Sequence, residues 1–292
     1  MKTTLIIFIL TNLIACHHHK NFKQEDGYLK FADSTIHYKI SGKGKPVLLL
    51  HAGGLNLDAW DDQIKDLNNN NFQTLRYSEL GHGKTTRGKT ELKGYEIIDK
   101  FIEEKFAGQK VSIIGLSWGG VLATDYALNY PNKVDKLILV SSGINGWDWF
   151  ANSGTKKRYE VLREAYIKND SAKVAELNYQ YWIVGPNRKE STLDSAWVKK
   201  MKNVMATNVK NHWGEQSSAL DNTSSINRLQ QIQTPTLIVL GEKDSEDIGM
   251  IAKIYHSGIK NSKLVTIPDA GHSMNIEKPK EFNQLIIDFL NQ

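Results

Sequence analysis

The chain predicts an α/β fold: a mostly parallel central sheet flanked by helices, with an inserted helical lid. Three observations carry this expectation. From Leu29 onward, short β-rich runs alternate with longer segments of helical period, the pattern of parallel strands joined by crossover helices. Across residues 142–226 the strand-like runs stop, and helical segments rich in Lys, Glu, Asn and aromatic residues take their place. The alternation then resumes and continues to the last helix.

The size and charge of the chain fit that expectation. With 292 residues there is room for one such domain plus an insertion, and a hydrophobic share of 40% with 24% charged residues is ordinary for a globular protein. The formal net charge of +5 arises from lysines scattered among nearly as many acids, so it describes a solvated surface and no nucleic-acid partner.

At the amino end, Lys2 precedes the apolar run Leu5 to Leu10 and then Leu13-Ile14-Ala15-Cys16. Residues 1–15 read as a secretory signal peptide, because the run is too short for the roughly 20 residues that a bilayer span requires. Cys16 is the single cysteine, which excludes an internal disulfide. The histidines His17, His18 and His19 could hold a metal. They stand in a polar stretch from His17 to Gly27 that reads as flexible, so residues 16–28 are taken as a tether and no metal site is assigned.

The core is expected over 29–141 and 227–292. Leu29 to Ala32 and Ile36 to Ile40 form an opening hairpin. Pro46 to His51 is a continuous apolar strand, as expected of one buried on both faces, and Thr74 to Ser78 is another strand. Ile97, Ile98, Phe101, Ile102 and Phe106 recur at helical spacing between Tyr95 and Phe106. Val111 to Leu116 is a strand, Gly119 to Asn129 a helix that Pro131 ends, and Val134 to Val140 the next strand. Beyond the lid come a strand at Thr236 to Leu240, a helix at Asp247 to Ser257, a strand at Lys263 to Ile267 and a helix at Pro279 to Phe289.

Gly115-Leu116-Ser117-Trp118-Gly119 falls where a strand gives way to a helix. Gly-x-Ser-x-Gly at such a turn presents a strained serine hydroxyl clear of the sheet and aims the amino end of a helix at the reacting carbon. A serine is a weak nucleophile without a base in reach. His272, in the loop after the strand Lys263 to Ile267, emerges at the same sheet edge. The imidazole needs a carboxylate to fix its tautomer; Asp244, just after the strand ending at Leu240, is the first choice and Asp247 the rival. Two amide donors must meet an oxyanion: the N–H of Trp118, and that of Gly53 in the turn Ala52-Gly53-Gly54.

These runs, together with Glu79-Leu80-Gly81-His82-Gly83, resemble the α/β-hydrolase superfamily in spacing and in the order nucleophile, acid, histidine. The resemblance covers Leu29 to the end and implies the α/β-hydrolase fold with a lid. It is nearest to the branch of lidded lactonases, carboxylesterases, C–C bond hydrolases and proline iminopeptidases. Two departures stand out: Ala52 replaces the glycine that usually follows the turn's histidine, and Ser78-Glu79-Leu80 replaces a loop that often carries Asp and Arg. His82 is read as structural. Serine at the nucleophile position argues against the haloalkane dehalogenase and epoxide hydrolase branches, which use aspartate.

The expected function is hydrolysis of an ester or lactone of a small molecule through an acyl-enzyme on Ser117, with no cofactor. The alternatives are a proline iminopeptidase-like aminopeptidase, with Glu160, Glu164 or Glu176 of the lid meeting the substrate amine; a C–C bond hydrolase; and a lipid-tethered binding protein without catalysis. Leu13-Ile14-Ala15-Cys16 in turn resembles the lipobox of bacterial lipoproteins. That implies cleavage before Cys16, lipidation of Cys16, and attachment to a membrane of the bacterial cell envelope.

Overall fold

The computed structural model describes residues 23–292. The expected signal peptide, Cys16 and His17 to His19 lie outside the described residues. An eight-stranded sheet runs in the order β1-β2-β4-β3-β5-β6-β7-β8. Its strands are β1 (Gln24–Phe31), β2 (Ser34–Gly42), β3 (Lys45–Leu50), β4 (Phe72–Tyr77), β5 (Val111–Leu116), β6 (Val134–Val140), β7 (Thr236–Gly241) and β8 (Ser262–Ile267). β1, β2 and β4 pair antiparallel, and from β4 to β8 every pairing is parallel.

One boundary differs from the sequence expectation. β1 begins at Gln24, so residues 24–28 belong to the sheet edge and not to a tether. The strand pairs with β2 from Gln24 opposite Ser41 to Phe31 opposite Ser34, while most of its side chains stay exposed. Backbone pairing makes it a strand, and an apolar pattern does not advertise it.

The central parallel strands β3, β5 and β7 are apolar and buried on both faces because helices cover both. Helices α2 (Gly94–Phe106), α3 (Trp118–Asn129) and α7 (Glu246–Gly258) pack one face, where Phe101, Tyr126 and Tyr255 are fully buried. Helices α1 (Asp61–Asn69), α8 (Met274–Glu277) and α9 (Pro279–Leu290) lie against the other, with Leu67, Met274 and Phe282 buried. The sequence does not announce α1. It buries Gln63 and Asn68, which are satisfied by Asn283 and Ser41, so its inward face is partly polar.

The register decides where chemistry can occur. Leu50 lies beside Gly115, Leu116 beside Val140, Val140 beside Val239 and Gly241 beside Ile267, so five strands end together. The segments after them share one edge, the usual ligand-binding edge of an open parallel sheet.

The insertion follows β6. It contains α4 (Ser153–Ile167), α5 (Ser171–Asn178), a π-helical turn (Tyr179–Val184) and α6 (Ser195–Asn211). Its two ends meet: Ile226 N–H donates to Asn145 O at 3.1 Å. Asp125 of α3 braces that stem, accepting from Asp221 N–H at 3.0 Å and from the Ser225 hydroxyl. Burial pushes the Asp125 carboxyl up from its usual range, against the pull of those hydrogen bonds.

Candidate active site

Ser117 joins β5 to α3 with φ 52° and ψ −109°, a left-side backbone conformation that costs a non-glycine residue about 1–3 kcal/mol. The turn is held from three sides. Ser117 N–H donates to Val140 O at 2.9 Å, Gly119 N–H to His51 O at 3.1 Å and Gly120 N–H to Ser117 O at 3.0 Å. The flanking glycines answer to close approach: a Cβ on Gly115 would lie 2.4 Å from Gly119 O, and one on Gly119 2.2 Å from Leu50 O.

The histidine and its acid are bonded. His272 Nδ1 lies 2.9 Å from Asp244 Oδ2 and 3.1 Å from Oδ1, and both residues are buried. Asp244 also accepts from Ser245 N–H at 2.7 Å. An Nδ1–H donated to a carboxylate leaves Nε2 free to accept a proton. Asp247, the rival acid, faces elsewhere: it accepts from Trp147 Nε1 at 3.2 Å and from the Thr155 hydroxyl, tying the lid to α7. Ser117 and His272 line one cavity of about 800 Å³ beneath the lid. No hydrogen bond joins them among the described residues; such bonds are often long before substrate arrives.

Gly53 borders the same cavity, and the nearest atom to a Cβ placed on it would be Trp118 Cβ at 3.9 Å. Trp118 N–H, at the first position of α3, has no intrahelical acceptor. Gly53, Ser117 and Trp118 thus border one cavity. The turn carrying Gly53 is buttressed by two histidines. Gly54, at φ +75°, donates its N–H to His82 Nε2 at 3.1 Å, and Glu79 N–H donates to His51 Nε2 at 2.9 Å. With Nε2 accepting, each ring carries its hydrogen on Nδ1 and donates to Leu80 O or to Ala52 O. Burial, helped by the neighbouring His82, pulls His51 down to about 3; burial pulls His82 down to about 4. Both rings are held neutral.

Some residues that shape the site carry no sequence signal. Arg188, just after the π-helical turn, pairs with Glu277 across 89 residues, and Glu277 accepts from Gly271 N–H at 3.1 Å. A Cβ on Gly271 would lie 2.2 Å from Arg188 Nη2, so a side chain before His272 would have to displace the guanidinium from its place. Trp182 of the same turn stands 4.8 Å from the His272 ring. Glu160, Glu164 and Glu176, the acids considered for a substrate amine, are exposed and do not line the cavity. Among the described residues the carboxylate on its wall is Glu215, bonded to His212.

Fold and site together define an α/β enzyme with its serine on a strand-to-helix elbow. The chain belongs to the alpha/beta hydrolase fold family, whose model matches residues 45–279. It is similar to the 2-hydroxy-6-oxo-6-phenylhexa-2,4-dienoate hydrolase of Comamonas testosteroni, with 24% identity over 89% of this chain and 93% of the relative. A proline iminopeptidase of Saccharolobus solfataricus is 25% identical over 92% of this chain and 93% of its own length. Among solved structures, an esterase from Exiguobacterium antarcticum superposes with a TM-score of 0.74 at 20% identity, covering 92% of this chain and 100% of the other.

Proposed function

We propose that this hydrolase cleaves an ester or lactone of a small molecule through an acyl-enzyme on Ser117. The reading rests on one observation: a strained serine faces the cavity that it shares with a histidine whose other ring nitrogen is held by a buried aspartate. In this reading Ser117 Oγ attacks the substrate carbonyl while His272 Nε2 takes its proton. Asp244 stabilises the imidazolium that forms. The amides of Gly53 and Trp118 hold the oxyanion, each worth about 3 kcal/mol of barrier. His272 then returns the proton to the leaving oxygen, and water repeats the sequence to release the acid.

Esters and lactones lead because their leaving groups need least assistance. The same serine, histidine and aspartate could serve the reactions named for the two relatives, a dienoate hydrolase and a proline iminopeptidase. The aminopeptidase alternative loses the three lid acids considered for it, since Glu160, Glu164 and Glu176 are off the cavity, and the lid acid on the wall, Glu215, is bonded to His212. A binding protein would have no use for the strain at Ser117, which argues against a non-catalytic reading. We extend the proposal to the amino end: Cys16 is lipidated and tethers the exported protein to a membrane of the bacterial cell envelope. Retention of acyl-labelled wild-type chain in the detergent phase, and its loss in Cys16→Ala, is the expected outcome there. Equal partitioning of the two would contradict it.

The enzymatic proposal is tested by treating the full chain with a fluorophosphonate, beside Ser117→Ala, and mapping the modified peptide. Modification at Ser117 that vanishes in the variant is expected. A folded protein that stays unlabelled would move the non-catalytic reading to the front.

A further inference from the structure

His212 closes the carboxyl end of α6, where its backbone N–H donates to Asn208 O at 3.0 Å. Its ring faces an acceptor at each nitrogen. Nδ1 lies 2.9 Å from Glu215 Oε2, and Nε2 lies 2.9 Å from the carbonyl oxygen of Gly83. Neutral imidazole has one N–H, so against an ionised Glu215 only the imidazolium makes both bonds. The carboxyl end of a 17-residue helix favours that positive charge.

The carbonyl it grips belongs to the turn that supports the oxyanion amides. Gly83 follows His82, the acceptor for Gly54 N–H, and Gly83 N–H itself donates to Asn208 Oδ1 at 3.2 Å. The end of α6 therefore holds this turn from two sides. A Cβ on Gly54 would lie 2.8 Å from Met205 Sδ, so α6 also packs directly on the turn carrying Gly53. His212, Glu215, His82 and Gly54 all border the cavity.

We propose that His212 and Glu215 form a pH-sensitive latch that locks the end of α6 onto the turn supporting Gly53, making His212 a positioning residue for the reaction at Ser117. This rests on the hydrolase reading above. The ionisable groups of the segments that meet here are Lys210, His212 and Glu215 on the lid and Glu79, His82, Lys84 and Arg87 on the core loop. Tyr166 of α4 stacks on Trp213 beside them. His82 is fixed neutral by its two bonds, Arg87 is committed to the carbonyls of Gln216 and Ser217, and Glu79 is buried beneath. Imidazole is the side chain that changes charge between about pH 5 and 8. As His212 loses its second proton, one of its two bonds is lost, the turn loosens, and the oxyanion amides lose their fixed placement. The latch is closed on the acid side of that change and open on the alkaline side.

Two readouts on the full chain test it. With 15N-labelled histidine, NMR should show both ring nitrogens of His212 protonated at pH 6 and one proton lost by pH 9. Fluorophosphonate labelling of Ser117, corrected for decay of the probe, should slow about tenfold across the same change, the scale of one lost charge-assisted bond. Glu215→Gln should remove the alkaline decline, because its amide can donate to a neutral Nδ1 while Nε2–H keeps Gly83. His212→Phe should label slowly at every pH. A His212 with one proton throughout, or wild-type labelling that keeps rising to pH 9, would overturn the latch. The NMR titration without any labelling of Ser117 would support the latch and contradict the hydrolase reading instead.

Discussion

The sheet edge and the lid face each other across one cavity, but they are held in place by different means. At the edge, Ser117, Asp244 and His272 stand just beyond strand ends whose register is fixed by backbone hydrogen bonds. The lid is fastened largely by side chains: Asp247 to Trp147 and Thr155, Arg188 to Glu277, and His212 to Gly83. Backbone pairing cannot be changed one residue at a time, whereas these ties can. The edge should therefore govern whether chemistry happens, and the lid should govern its placement and the choice of substrate.

Substitutions at the two acids, so close in sequence, put that division under most strain. Asp244→Asn should lower kcat for an activated ester by about 10⁴-fold, by presenting the wrong tautomer to Ser117. Asp247→Asn should leave kcat within about tenfold and show itself as reduced thermal stability, since it loosens the lid and leaves His272 alone. Equal losses of kcat would break the comparison.

Acid should act on the edge before the lid. His51 and His82 are depressed to about 3 and about 4 in the fold, below the unfolded value of about 6.5. Their contribution to stability is full above that unfolded value and is lost as pH falls towards the folded ones. By pH 5 the pair should cost about 4 kcal/mol, seen as a falling Tm in a pH series. Glu79, pushed up by burial, acts in the opposite sense. His51→Gln should flatten the series.

The lid ties should have smaller effects. Arg188→Met leaves the half-buried Glu277 without its cation and should cost about 2 kcal/mol in denaturant unfolding. It should also lower kcat, because Glu277 holds the amide just before His272. Trp213, stacked on Tyr166 at the cavity, sharpens the contrast: Trp213→Ala should raise KM by several-fold, about 1 kcal/mol, with kcat unchanged.

The same division explains what could be read from the sequence. The central strands β3, β5 and β7 are short apolar runs whose burial on both faces leaves few other readings, and the glycines around Ser117 are dictated by backbone oxygens that would lie within 2.5 Å of an added Cβ. The chemistry of a serine nucleophile then narrows the search to one histidine and two acids near the same edge, and the bond from His272 singles out Asp244. The first half of β1 escaped because its side chains are mostly exposed, and α1 because it buries Gln63 and Asn68. Arg188, Glu277, His212 and Glu215 escaped for another reason: their partners are set by how the lid folds back on the core, which no local pattern encodes. The bond of His82 to the turn carrying Gly53 and Gly54 likewise required the structure.

The most direct test is to quench the full chain during turnover of a p-nitrophenyl ester and weigh its peptides. The acyl mass is expected on the peptide carrying Ser117, accumulating with a burst of nitrophenol and absent from Ser117→Ala. Steady turnover lost in Ser117→Ala but with no adduct and no burst, even in rapid-quench samples and with slowly deacylating esters, would contradict a covalent route.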